Sequence, residues 1–262
     1  MSAEPPTNVP EFAVSDLARA VKGTLESAYG RVRLVCLLML TLDPTHSKLH
    51  NVILLGCMTA IWAGLATLVW RFWYLRAPLL LLPLAVAALF MIPGRDIDTE
   101  QLRRTYVAQL RNYEGAPYHW GGENAWGIDC SGLPRRAFRN ALLAYGLQNL
   151  NGRALREYAE HWWFDASAQA LGEGYRDFTR PVWVSGAVQE MSYADLLPGD
   201  LAVTTNGAHV LVYLGNDMWT QADPSAGAVV VHNGRKDQNI WFSMPVSVHR
   251  WSSLVLHEKT HD

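Results

Sequence analysis

Charged side chains are scarce in this sequence: 18% of its 262 residues carry one, against about 25% in an ordinary soluble domain. The formal net charge of −2 lacks the basic excess with which nucleic-acid binders neutralise phosphates. Three cysteines are too few for a disulfide framework. No CxxC spacing occurs, which leaves a structural zinc site unsupported, and the one HExxH match, His257-Glu-Lys-Thr-His261, is too short a signal by itself to assign a zincin. Twenty glycines and 50% hydrophobic residues exclude collagen-like and disordered chains. No metal or organic cofactor is implied.

The charge deficit has a location. From Leu49 to Gly94 the only formal charges are Arg71 and Arg76. Val52 to Trp70 is a 19-residue uncharged run, about 28 Å long as a helix and close to the ~30 Å hydrocarbon core of a bilayer. Ala77 to Ile92 is a further 16-residue uncharged run, with Pro78 in its first turn and Pro83 placed to kink it. The Arg71-Phe-Trp-Tyr-Leu-Arg76 linker has the aromatic and basic character of a membrane interface. Two buried core helices would satisfy the same composition, but the interfacial linker favours a transmembrane hairpin over residues 49–94.

Upstream, Val14, Leu17, Val21, Leu25, Ala28, Val32 and Val35 recur at helical steps. The stretch from Val32 to Leu42 is 11 residues, apolar apart from Arg33 and Thr41, and too short to span, so residues 1–48 read as an amphipathic, interfacial helical region. The polar opening Met-Ser-Ala-Glu-Pro-Pro does not resemble a cleaved signal peptide. Arg31, Arg33, Lys48, Arg95, Arg103 and Arg104 flank the hairpin, and the positive-inside rule then leans towards a cytoplasmic C-terminal domain.

Residues 95–262 read as the chemical domain. A helical pattern over Thr99–Tyr113 leads into Pro117-Tyr-His-Trp-Gly-Gly122 and Gly127-Ile-Asp-Cys-Ser-Gly-Leu133. Cys130 is the only cysteine beyond the apolar N-terminal third. A lone cysteine is ordinarily an inert small hydrophobe. This one stands where a Gly-bracketed loop enters a helix, a position whose positive end favours a thiolate. Pro134 cannot donate to the carbonyl four residues back, which weakens that dipole effect at Cys130.

A nucleophilic thiol needs a base, and the base needs a polar group to orient it. Pro198–Thr204 reads as a turn and strand, Asn206-Gly207 as a hairpin signal, His209–Leu214 as a second strand and Met218–Ala222 as a third. A turn centred on Gly215 makes His209 and Gln221 direct cross-strand neighbours. The spacing thereby suggests Cys130, His209 and Gln221 as nucleophile, base and orienter. His119, His161, His232 and His249 show no ligand spacing; together with His257 and His261, which fall in the HExxH match, they read as structural or exposed.

Over residues 100–250 the chain resembles the NlpC/p60 family of papain-like cysteine peptidases. The resemblance rests on Pro117–Gly122, Asp129–Leu133, Leu197–Leu201 and His209–Asn216, four motifs in the family's order. It implies an α+β fold in which a helix bearing the cysteine packs on an antiparallel sheet bearing the histidine. It assigns Cys130, His209 and Gln221 to catalysis and Tyr118, Trp120, Asp129 and Ser131 to substrate binding. The implied substrate is a peptidoglycan stem peptide, cut between D-glutamate and a diamino acid. Gln221 stands where the family usually has histidine, and Leu211 where it usually has a small residue. The 79-residue interval from Cys130 to His209 exceeds the common spacing, with an insert at about 140–190 that either roofs the groove or packs on the sheet.

The resulting expectation is a thiol amidase of the bacterial inner membrane with its catalytic domain on the periplasmic or extracellular side. Its expected partners are peptidoglycan peptide and the lipid bilayer, with no nucleic acid. Three alternatives stay open: a secreted antibacterial toxin with an immunity or inhibitor protein, a papain-like lipid acyl hydrolase or transferase, and an inactive binding module.

Overall fold

A computed structural model describes residues 47–70 and 72–255 together with Arg19, Asp43 and Thr45. The interfacial helix expected upstream of residue 43, Arg71, His257 and His261 lie outside the described residues. Two compact units separate, one holding residues 49–87 and the other residues 43–48 and 88 onward.

In the first unit, helices α1 (Lys48–Val69) and α2 (Trp73–Met91) are both long and apolar enough to cross a membrane. Between the two helices the Phe72 amide donates to Val69 O at 2.8 Å. Within the unit the Trp62 indole donates to Leu79 O at 3.3 Å. No residue of α2 is buried, so its leucines have no protein core to fill. The helix begins at Trp73, four residues earlier than the uncharged run, which places Pro78 as well as Pro83 in its interior. Pro78 is therefore not a first-turn residue as the sequence suggested.

The second unit is mixed α and β. Asp98 caps α3 (Thr99–Arg111) by accepting from the Glu100 and Gln101 amides, which satisfies two of the helix's free donors. Strands β1 (Glu123–Asn124) and β2 (Gly127–Ile128) form a small hairpin before α4 (Gly132–Gln148). Helices α5 (Gly152–Trp163) and α6 (Ala168–Gly172) follow. The remaining strands are β3 (Thr179–Ala187), β4 (Leu201–Thr204), β5 (Val210–Gly215), β6 (Met218–Asp223), β7 (Ala228–Asn233) and β8 (Pro245–Trp251). They build one antiparallel sheet in the order β3-β8-β4-β5-β6-β7.

Two cores sandwich that sheet. Val210, Val212 and Leu214 of β5 join the cluster containing Leu133, Ala137, Phe138, Ala141 and Leu142 of α4. The alternate residues Leu211 and Tyr213 join a second cluster with Trp219, Phe242 and Val248, as the two-residue period of a strand requires. Phe138 stacks on Trp251 with centroids 4.4 Å apart and planes 2° from parallel. This contact fixes α4 against β8, and truncation of such a buried ring costs about 3–5 kcal/mol. A buried Arg139–Glu123 pair at 2.8 Å ties α4 to β1.

Residues 140–190 pack against the rest of this unit. His161 of α5 meets Phe138 edge-on at 5.3 Å, and β3 extends the sheet by pairing with β8. Gln169 of α6 lies against Gly207, so closely that a methyl group added there would collide. The Leu197–Leu201 motif is also architectural. Asp200, fully buried, accepts from Arg250 Nε at 2.7 Å and from the Leu197 amide at 2.8 Å.

Candidate active site

Cys130 is placed by a crowded loop. Both oxygens of the Asp129 carboxylate are occupied: Oδ1 by the Gly132 amide at 2.6 Å and the Ser131 hydroxyl at 3.0 Å, Oδ2 by the Gly121 amide at 2.9 Å. Asp129 thus performs the capping that Ser131, the formal N-cap of α4, does not. The helix tolerates Pro134 because its hydrogen bonds straddle it: Leu133 N donates to Asp129 O and Arg135 N to Ser131 O. Pro134 falls in the first turn, so the only bond forgone between these two is the one to the Cys130 carbonyl. Gly132 is required by close approach, since an added Cβ would strike the carbonyl oxygen of Gly122.

Cys130 Sγ lies 3.9 Å from the carbonyl oxygen of Ala208, the residue before His209. Across the chain fold the helix start and the start of β5 therefore meet. His209 Nε2 is 2.7 Å from Gln221 Oε1, and both residues are 1% exposed. An amide oxygen only accepts, so the ring proton sits on Nε2 and Nδ1 is the basic nitrogen. His209 is further held through its backbone, whose N–H donates to Thr204 Oγ1 at 2.9 Å.

The strand register differs from the expected one. The turn centres on Asn216 and Asp217, both with positive φ, and Val212 pairs with Thr220 and Tyr213 with Trp219. Gln221 is consequently diagonal to His209 instead of opposite. The displacement amounts to two positions, and an even shift keeps a side chain on the same face of the sheet. The long glutamine side chain covers the diagonal distance.

Burial governs the protonation of both reacting groups. It pushes the Cys130 thiol up to about 12, with the Asp129 charge adding to the effect, and the amides of Val210, Ser131 and Cys130 only partly oppose it. The expected helix-end preference for thiolate is outweighed. Burial likewise lowers His209 to about 4, against the Gln221 hydrogen bond and the Asp223 and Asp129 charges. The resting pair is a neutral thiol and a neutral imidazole.

Tyr118 is half-buried, its hydroxyl raised to about 12 chiefly by burial, with Cys130, Asp129 and Asp223 nearby opposing a second negative charge. It is a neutral donor beside the thiol. Trp120, 79% exposed, stands clear of the buried cluster. Trp241, Asn239 and Asp223 belong to the site and carried no recognisable signal in the sequence. The Trp241 ring stacks on the His209 imidazole at 3.9 Å and 12°. Asn239 Nδ2 donates to Asp223 Oδ2 at 2.9 Å while its Oδ1 accepts from the Trp241 amide. Among the described residues no cluster of His, Cys, Asp or Glu could hold a metal ion.

Comparison with known proteins gives a consistent set. Residues 115–244 match the NlpC/P60 family. The chain is 26% identical over 139 residues to the murein DD-endopeptidase MepS/murein LD-carboxypeptidase of Escherichia coli K12, covering 52% of this chain and 56% of that one. It is 31% identical over 117 residues to a probable endopeptidase of Mycobacterium tuberculosis, covering 44% of this chain and 22% of the relative. The chain thus spans less than two thirds of each of these relatives. The solved peptidoglycan hydrolase RipB of Mycobacterium tuberculosis aligns at 22% identity over 61% of this chain and 68% of its own, with a TM-score of 0.38.

Proposed function

Residues 115–244 belong to the NlpC/P60 family, and on that premise we propose that this chain is a membrane-anchored cysteine endopeptidase of peptidoglycan stem peptides. The observation carrying this reading is the 2.7 Å His209–Gln221 contact at the strand end whose backbone meets Cys130. A lone buried cysteine has no use for an oriented base beside it; a nucleophile does.

In this mechanism Cys130 Sγ attacks the amide carbonyl carbon while its proton passes to His209 Nδ1. Because both groups rest neutral, transfer accompanies attack instead of preceding it. The Cys130 amide and the Tyr118 hydroxyl donate to the oxyanion. Collapse expels the amine, protonated by His209, and leaves a thioester on Cys130. Water, deprotonated by His209, then releases the acyl product. Gln221 holds the imidazole in the tautomer that leaves Nδ1 basic.

Tyr118, Asp129 and Ser131 are assigned to the pocket for the free amine of the stem peptide, and the exposed Trp120 to substrate contact. The bond assigned is that between D-glutamate and the diamino acid. Helices α1 and α2 supply the anchor, supported by their length and by the exposed apolar surface of α2. The catalytic domain, residues 95–262, then lies outside the cytoplasm, where the cell wall is.

The test uses the full-length protein in detergent with purified muropeptides. Wild type releases products with new termini at one amide bond, and Cys130→Ala releases none while keeping its fold. Unchanged cleavage by Cys130→Ala would overturn the thiol mechanism. A reporter fused after Asp262 that registers a cytoplasmic C-terminus would remove the cell wall as substrate and favour a lipid acyl substrate, in line with the positive flanks of the hairpin.

A further inference from the structure

We propose that Asp223 is a positioning residue of this active site, whose carboxylate selects the orientation of the Gln221 amide and through it the tautomer of His209. The inference rests on the thiol–imidazole reading above and adds a fourth member to it.

A glutamine amide can rotate by 180° with almost no change of shape, exchanging its oxygen for its NH2 group. One orientation offers His209 an acceptor and keeps the proton on Nε2. The other offers a donor, which stabilises the tautomer with the proton on Nδ1, the atom that must receive the thiol proton. Nothing in Gln221 itself decides between them.

Asp223 does. It lies two residues further along β6, on the same face as Gln221. Its Oδ2 is 3.5 Å from Gln221 Nε2. An ionised carboxylate only accepts, so it draws the NH2 group to itself and turns the amide oxygen towards His209. At 3.5 Å the coupling is chiefly electrostatic, which suffices where Gln221 and Asp223 are 1% and 3% exposed. The carboxylate is kept ionised: burial raises its pKa, but Asn239, the Ser225 and Ala226 amides and the Trp241 side chain together bring it below the ordinary value. Ser225 N donates to Oδ1 at 2.8 Å and Asn239 Nδ2 to Oδ2 at 2.9 Å.

The surrounding charges single out this residue. The His209 ring is faced by Gln221 and Asp223 from β6, by the charge of Asp129 from the loop before α4, and by the uncharged Trp241 ring, while Cys130 meets the backbone of the residue before it. The Tyr118 hydroxyl feels Cys130, Asp129 and Asp223. Asp129 accepts from the Gly121, Ser131 and Gly132 donors, away from Gln221. Asp223 alone among the anions connects to the imidazole through consecutive polar contacts. It also places a negative charge behind a neutral glutamine, giving the imidazolium formed during turnover the support that the amide lacks.

The test reads Cys130 reactivity without any cell-wall substrate. In the full-length protein, the rate of iodoacetamide modification of the Cys130 peptide is followed by mass spectrometry from pH 3 to 9. Asp223→Ala should slow modification at pH 7 by about tenfold or more, about 1.4 kcal/mol or more of barrier. Its acidic limb, and that of Asp223→Asn, should move to lower pH, because removing a nearby anion makes His209 harder to protonate. Gln221→Glu should also react poorly, since it sets two carboxylates side by side. Combining it with Asp223→Asn should restore at least about tenfold of that loss, because the new carboxylate then accepts from His209 and from the new amide together.

A wild-type profile in Asp223→Ala, or a double variant no faster than Gln221→Glu alone, would overturn the proposal. A merely structural carboxylate predicts no such rescue. Failure of the peptidase reading is separate: it would appear as wild-type protein inert towards muropeptides, whatever the alkylation profiles show.

Discussion

Gln221 Oε1 accepts from His209 Nε2 at 2.7 Å although the two residues are diagonal, not opposite, across β5 and β6. That relation leaves Nδ1 as the basic nitrogen of His209 and, under the proposed thiol mechanism, defines what the rest of the site must do. The imidazole has to be kept dry, its ring plane held, and its backbone anchored. Trp241, Asp223 and Thr204 divide those tasks.

Trp241 covers the imidazole face at 3.9 Å. Trp241→Leu keeps apolar volume but removes the flat cover, admitting water to the His209–Gln221 hydrogen bond. Turnover of a muropeptide should fall by about tenfold, chiefly in kcat, and the His209 pKa should rise from about 4 towards its unburied value. Steady-state kinetics and the pH profile of Cys130 alkylation measure the two effects.

His161 and His209 make the fold acid-sensitive. Burial, reinforced for His161 by Arg139 and Arg135, lowers His161 to about 3, and burial lowers His209 to about 4. Below pH 6.5 the unfolded chain therefore binds more protons than the folded one. Their contribution is complete above about pH 6.5 and is lost as pH falls towards 4 and 3. Between pH 6.5 and 5 each costs about 1–2 kcal/mol. Thermal unfolding should show a clear drop in Tm from pH 7 to pH 5, and His161→Phe should make that drop smaller.

Gly132 tests the close approach that seats Cys130. A Cβ there strikes the Gly122 carbonyl, a backbone atom that cannot step aside. Gly132→Ala should destabilise by about 1–3 kcal/mol and reduce turnover further by displacing the Asp129-capped loop. Ser131→Ala, which removes one donor to Asp129 and adds no bulk, should retain more of both. Denaturant unfolding and muropeptide turnover compare the pair.

Much of this was legible in the sequence because it is written in local chemistry. The helix after Cys130, the strand–turn–strand run from Leu201 to Ala222 and the two uncharged segments each follow from spacing, turn residues or missing charge. The errors were also local. Counting the turn from Gly215 displaced the register by two, because a pair of positive-φ residues, Asn216 and Asp217, forms the reversal instead. Reading a helix start as thiolate-favouring omitted the desolvation that opposes it. Asn239, Trp241 and Asp223 were missed because their roles depend on packing, with no periodicity or motif to mark them.

By itself the sequence determined which residues were available for chemistry: one cysteine beyond the charge-poor segment, 79 residues before its histidine, and a helical hairpin's worth of apolar chain. Tertiary structure alone decided how they act. It brought Cys130 to the Ala208–Val210 backbone, laid Trp241 over His209 and set the Gln221 amide between an imidazole and a carboxylate. The reason is physical. Helices, turns and apolar runs are properties of neighbouring residues, whereas the protonation state of a buried thiol depends on everything that excludes water from it.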